Sequence, residues 1–148
     1  MNPAPLQLER HFFTKVVLDS HPNGQIGVQN FLRCEMEIGQ AEDNARRFQV
    51  VLRLNILSDP DKQTCYTGEI HAVGLFLVDQ SWTENEIPKL VESNGTALLY
   101  GAIRELILNL TSRGPWPPVQ LMAVTFVPVK KEQDLQLAPK VAAPAAST

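Results

Sequence analysis

The stretch GAIRELILNLTSRGPWPPVQL, residues 101–121, decides the fold. Read back to residue 96, it predicts a helix over 96–112, with Leu99, Ile103, Leu106, Ile107 and Leu110 in one apolar stripe at helical spacing. Gly114 suits the end of a helix, and Pro115 prevents its continuation. Leu98, Ala102 and Leu108 fall off the stripe, so polar cover is thin on the far side as well. Two readings fit: a helix buried deeply within one protomer, or a helix shared between subunits. The second is favoured, because one small sheet has limited area with which to cover so apolar a helix.

Upstream, the period changes from helical to twofold. Leu32, Cys34, Met36 and Ile38 alternate strictly with Arg33, Glu35 and Glu37, which predicts a half-buried strand. Residues 48–56 repeat the pattern, with Phe48, Val50, Leu52, Leu54 and Ile56 inward and Gln49, Val51, Arg53 and Asn55 opposite. The polar turn Ser58-Asp59-Pro60-Asp61-Lys62 then returns the chain antiparallel through a strand at about 64–78. Tyr66, Ile70, Ala72, Gly74 and Phe76 share one face of it. An extended run from Leu6 to Asp19 alternates less cleanly. Leu8, Phe12, Val16 and Leu18 suggest a bent or edge strand, closed by His21-Pro22-Asn23-Gly24. Trp82 to Val91 reads as a helical turn interrupted near Pro88. Strands followed by helix predict an α+β fold with an antiparallel sheet covered on one face. The expected organisation is a single domain over 1–129 and a polar, Ala-Pro-rich flexible tail over 130–148.

Composition narrows the partners. With 20% charged residues and a net charge of −3, nothing electrostatic points to nucleic acid or an anionic membrane. No apolar window is long enough for membrane insertion, and MNPAPLQLER lacks the apolar core of a signal peptide, so a cytoplasmic location is expected. Cys34 and Cys65 are in no metal spacing and are expected to be buried strand residues.

Catalytic patterns are sparse. His11, His21 and His71 are scattered, so no metal site and no cofactor are expected. Glu69 and His71 share a strand face and could make a base with its orienter, but a solvated cross-face pair is the strongly favoured reading. Ser112 closes a helix instead of opening one, unlike a nucleophile elbow. Surface remains. Val73, Leu75 and Leu77 would place apolar area on the second sheet face. Trp116 among its prolines either forms a rigid aromatic ledge or plugs the end of the core.

Four segments together resemble the SecB family of protein-export chaperones. They are RHFFTKVV (10–17), FQVVLRLNI (48–56), GEIHAVGLF (68–76), and the run from Arg104-Glu105 through Ser112-Arg113-Gly114 and Trp116-Pro117 to Leu121–Phe126. The resemblance implies a SecB-like protomer: a four-stranded antiparallel sheet, one long helix and a short or broken C-terminal helix, the break falling at Pro128. It implies a homotetramer, a dimer of dimers, with Leu98, Ala102, Ile103, Leu106 and Leu110 of the long helix at subunit contacts. The activity implied is ATP-independent holding of unfolded preproteins, with delivery to the motor SecA. Leu75, Phe76, Leu77, Leu99, Trp116 and Val119 are the implied client-binding residues, and Glu69 the implied SecA contact. Two acidic positions of the family's SecA surface are Val16 and Ser20 here, and a Pro-Tyr pair near the helix start is Gly101-Ala102.

The leading expectation is therefore a holdase in secretion. A SecB-like chaperone for one dedicated client, such as an antitoxin, is a close variant that the lost acidic positions favour. An oligomeric adaptor without a client groove, and an enzyme using Glu69 and His71, are the readings from other classes.

Overall fold

The structure is a computed structural model, and it describes residues 1–126. The expected tail and the break at Pro128 lie outside these residues. Four strands form one antiparallel sheet: β1 (Leu6–Ser20), β2 (Phe31–Gln40), β3 (Arg47–Leu57) and β4 (Tyr66–Val78). Their order across the sheet is β1-β4-β3-β2. A 3-10 turn (Glu84–Glu86), a single helical turn α1 (Ile87–Leu90), a π-helical segment (Val91–Gly95) and the long helix α2 (Thr96–Thr111) follow without a break.

The twofold alternation fixes which side chains meet the helix. Phe48, Val50, Leu52, Leu54 and Ile56 of β3 are all buried, as are Tyr66, Ile70, Ala72 and Phe76 of β4. Register agrees: Leu52 pairs with Ala72 and Leu54 with Ile70, so both inward rows lie on one face. Leu99, Ile103 and Ile107 of α2 descend onto that face and are fully buried. Leu99 and the Phe76 ring occupy the space that a side chain at Gly74 would need. At the other side of the helix start, the Thr96 hydroxyl donates to the Met36 sulfur of β2.

β1 departs from simple alternation for a definite reason. Its pairing with β4 shifts between Leu8 and Arg10 and again between Phe13 and Lys15. Each bulge reverses the parity of the strand. Phe13, paired with Ala72, therefore faces the helix, whereas Phe12, paired with Val73, faces away. The expected inward row of Leu8, Phe12, Val16 and Leu18 is corrected at Phe12. Pro88 interrupts nothing: it stands at the start of α1, where its missing N–H is harmless. Cys34 is exposed, contrary to expectation, on the edge strand β2; Cys65 is half-buried, and both are free thiols. Partial desolvation of the Cys34 thiol nevertheless pushes its pKa up.

The second sheet face carries no described element. Val51 and Val73 are buried there by their neighbours, while Leu75 and Leu77 are half-buried. A charged band crosses the same face: Lys15 Nζ lies 2.9 Å from Glu69 Oε1, His71 Nε2 lies 2.6 Å from Glu69 Oε2, and Arg53 pairs with Glu37 at 3.0 Å.

Candidate functional site

The chain beyond α2 builds one wall of a groove. Helix α2 ends at Thr111, whose hydroxyl donates to Ile107 O (2.7 Å) and accepts from Val119 N (2.8 Å). Gly114 has no positive φ, so it is not a left-handed helix cap. Its glycine is required by space, since a Cβ there would overlap the Tyr66 hydroxyl. That hydroxyl accepts the Trp116 backbone N–H at 3.2 Å. Trp116 Nε1 donates to His21 O at 3.1 Å, and the His21 ring meets the Thr67 hydroxyl at 2.6 Å. Residues 119–126 then run back along α2. Arg104 Nε donates to Leu121 O (2.9 Å), Tyr100 OH donates to Met122 O (2.6 Å), and the rings of Tyr100 and Phe126 meet edge-on at 5.7 Å. Residues 115–126 are called the return segment below.

The opposite wall is the connector between β1 and β2, residues 21–30. Asn30 anchors it. Its Nδ2 donates to Tyr66 O (2.8 Å), Leu57 O (3.1 Å) and Thr64 Oγ1 (3.1 Å). Between connector and return segment lie two adjoining cavities that share Gly27, Val28, Asn30 and Val119. The smaller, about 120 Å³, is lined further by Ile26, Cys65, Tyr66, Pro117 and Pro118. The larger, about 220 Å³, is lined by Gln29, Leu32, Gln120, Leu121 and Met122. None of these residues carries a formal charge. Apolar side chains of the lining stand open at the lips, Ile26 at 67% exposure and Met122 at 49%. Such a strip can take up apolar groups of a partner and, among the described residues, is lined by no carboxylate, histidine or cation. A third cavity of about 300 Å³, between Phe48, Ile87, Pro88 and Glu84, lies by the far ends of β2 and β3, where Arg46 is engaged by the carbonyls of Asp79 and Trp82.

The residues expected from sequence are scattered over three places. Val119 lines both cavities, and Trp116 rivets the return segment to the connector instead of standing as a free ledge. Phe76 and Leu99 are fully buried between sheet and helix, out of reach of any client. Leu75 and Leu77 project from the opposite sheet face, so they cannot share a groove with Trp116. On α2, Leu98 is exposed, Ala102, Leu106 and Leu110 are half-buried, and Ile103 is fully buried against the sheet. Glu69 is on the open face with both carboxylate oxygens paired. Its pKa is held below the usual carboxylate range by the Lys15 hydrogen bond first and the His71 hydrogen bond second. Sequence reasoning missed Ile26, Val28, Leu32, Leu121 and Met122. Leu32 showed only as a member of the twofold row of β2, and the others only as apolar residues within turn-rich, non-periodic segments.

Comparison with known proteins agrees with this architecture. Residues 8–136 match the family described as preprotein translocase subunit SecB. The chain belongs to the SecB family. Among its SecB relatives, the protein-export protein SecB of Nitrosococcus oceani is 28% identical over 88 residues, covering 60% of this chain and 53% of that protein. The SecB of Anaplasma phagocytophilum is 26% identical over 88 residues, covering 58% and 56%. The chain thus spans little more than half the length of these two relatives. The SecB of Acinetobacter baumannii aligns more fully, 23% identical over 124 residues, covering 82% of this chain and 80% of that protein. A solved SecB-like chaperone of Mycobacterium tuberculosis, in complex with a ChAD peptide from an antitoxin, superposes with a TM-score of 0.62. It is 22% identical and covers 84% of this chain and 94% of its own, which shows a shared SecB-like fold.

Proposed function

We propose that this SecB-family chain is an ATP-independent holdase that keeps unfolded preproteins extended in the groove between connector and return segment. The observation that carries the reading is the groove itself, a charge-free apolar strip with open apolar lips on a hydrogen-bonded frame. Unfolded chains expose apolar side chains, and a site without charged or metal determinants holds many sequences weakly. A tetramer built through the outward side of α2, with Leu98, Ala102, Leu106 and Leu110 at the contact, would multiply the grooves and raise avidity. The names of the relatives support a place in protein export, and a cytoplasmic location is part of the proposal.

Delivery to SecA through Glu69 is the finer part of the proposal. The pairing of Glu69 with Lys15 and His71 neutralises the acidic feature that such a contact uses, and it favours a second reading, a SecB-like chaperone for one dedicated client. Light scattering from a reduced, slow-folding client tests the holdase. Stoichiometric suppression of aggregation without ATP is expected, and undiminished aggregation in the presence of the assembled oligomer would refute it. A titration with SecA separates the two readings. Binding that Glu69→Ala weakens supports delivery; no binding by the wild type supports the dedicated-client reading; equal binding by both proteins removes Glu69 from the contact.

A further inference from the structure

Two carboxamide residues line the larger cavity from its two walls, Gln29 from the connector and Gln120 from the return segment. Both residues are exposed, and among the described residues neither side chain is hydrogen-bonded. Their neighbour Asn30 is the contrast, its amide turned inward onto three acceptors of the frame. The same lining includes Leu32 and the buried Leu121, with Met122 at its rim. An extended polypeptide laid on such a lining loses water from its own N–H and C=O groups, and an unmet buried peptide group costs about as much as a lost hydrogen bond. A carboxamide presents donor and acceptor side by side, the complement of a peptide unit.

We propose that Gln29 and Gln120 bind the main chain of an extended client segment from its two sides, so that the groove reads backbone in uncharged stretches. The inference rests on the groove being the client site and specifies what is recognised there. It accounts for sequence tolerance, because every residue of a client except proline offers the same donor and acceptor. It also excludes charged client residues over the cavity, which would be dehydrated there without a counter-charge. Affinity for an uncharged segment is then nearly independent of ionic strength, since no ion pair forms.

The test uses Gln29→Met, Gln120→Met and the double variant, which keep length and apolar lining while removing the amides. The probe is a fluorescein-labelled peptide of alternating leucine and serine, beside the same peptide N-methylated at every other backbone nitrogen. Each single variant is expected to weaken binding of the unmodified peptide about 5-fold, the equivalent of one hydrogen bond of about 1 kcal/mol. The double variant should weaken it further, with an unchanged Tm because both side chains are exposed. The N-methylated peptide should bind wild type weakly and no longer distinguish it from the double variant. Raising salt from about 50 to about 500 mM should change the Kd by less than about twofold. A double variant that binds like wild type, or a Kd that rises steeply with salt, overturns the carboxamide pair while leaving the holdase reading standing. A wild-type protein that binds neither peptide and suppresses no aggregation overturns both.

Discussion

At the scale of single residues, several side chains act through one partner each, and each partnership can be tested by itself. Gly114 and the Tyr66 hydroxyl share one space, so Gly114→Ala should push them apart and break the Trp116 N–H bond to Tyr66. The expected cost is about 1–3 kcal/mol in chemical denaturation. Tyr66→Phe in the same chain removes the obstructing oxygen and should recover part of the loss; no recovery would show that Gly114 serves another purpose. Trp116→Phe keeps an aromatic ring but loses the bond to His21 O. A stability loss of about 1 kcal/mol is expected, with a larger proportional loss of client affinity, because the bond joins the two groove walls. On the open face, the depressed pKa of Glu69 makes its pairing a contribution present above the unfolded carboxylate range. That contribution disappears as pH falls through the lowered value. Lys15→Met should move the Glu69 titration, followed by carboxyl NMR, upward toward the ordinary range; an unmoved titration would mean that Lys15 does not hold it.

At the scale of elements, α2 divides its side chains between two tasks. Ile103 is entirely against the sheet, and Ile103→Ala should cost about 2–5 kcal/mol through the cavity left behind. Leu98 and Leu108 remain 45% and 37% exposed on the protomer. If the helix is shared between subunits, Leu98→Glu with Leu108→Glu should lower the mass measured by light scattering and leave the far-ultraviolet circular dichroism of the protomer intact. Retention of the full mass would place the subunit contacts elsewhere. The strands show how legible an element can be. The inward rows of β3 and β4 were readable residue by residue, because burial on one face imposes a period of two along the chain. β1 was not, because its two bulges reverse parity twice, and a bulge leaves no compositional mark in this sequence. The helical turns around Pro88 were also misjudged, since the sequence alone does not tell whether a proline ends one helix or starts the next.

At the scale of the whole molecule, the groove joins the connector after β1 to the segment after α2, two stretches far apart in sequence. The twofold rows, the helix stripe and its stop, and the family likeness carried by four ordered segments were all determined by the sequence itself. They are local or ordered patterns, and the sheet and helix follow from them wherever the apolar face must leave water. Tertiary structure alone decided which apolar residues are core and which are groove. Phe76 and Leu99 look as available as Val119 in the sequence, yet helix and sheet close over the first two and leave Val119 at the junction of two cavities. It also decided that Glu69 is a paired carboxylate, because Lys15 reaches it only through the β1–β4 register that the bulges set. The groove was illegible for the same physical reason. Its residues share no period, and what brings them together is a set of long-range hydrogen bonds, from Trp116 to His21 and from Asn30 to Tyr66.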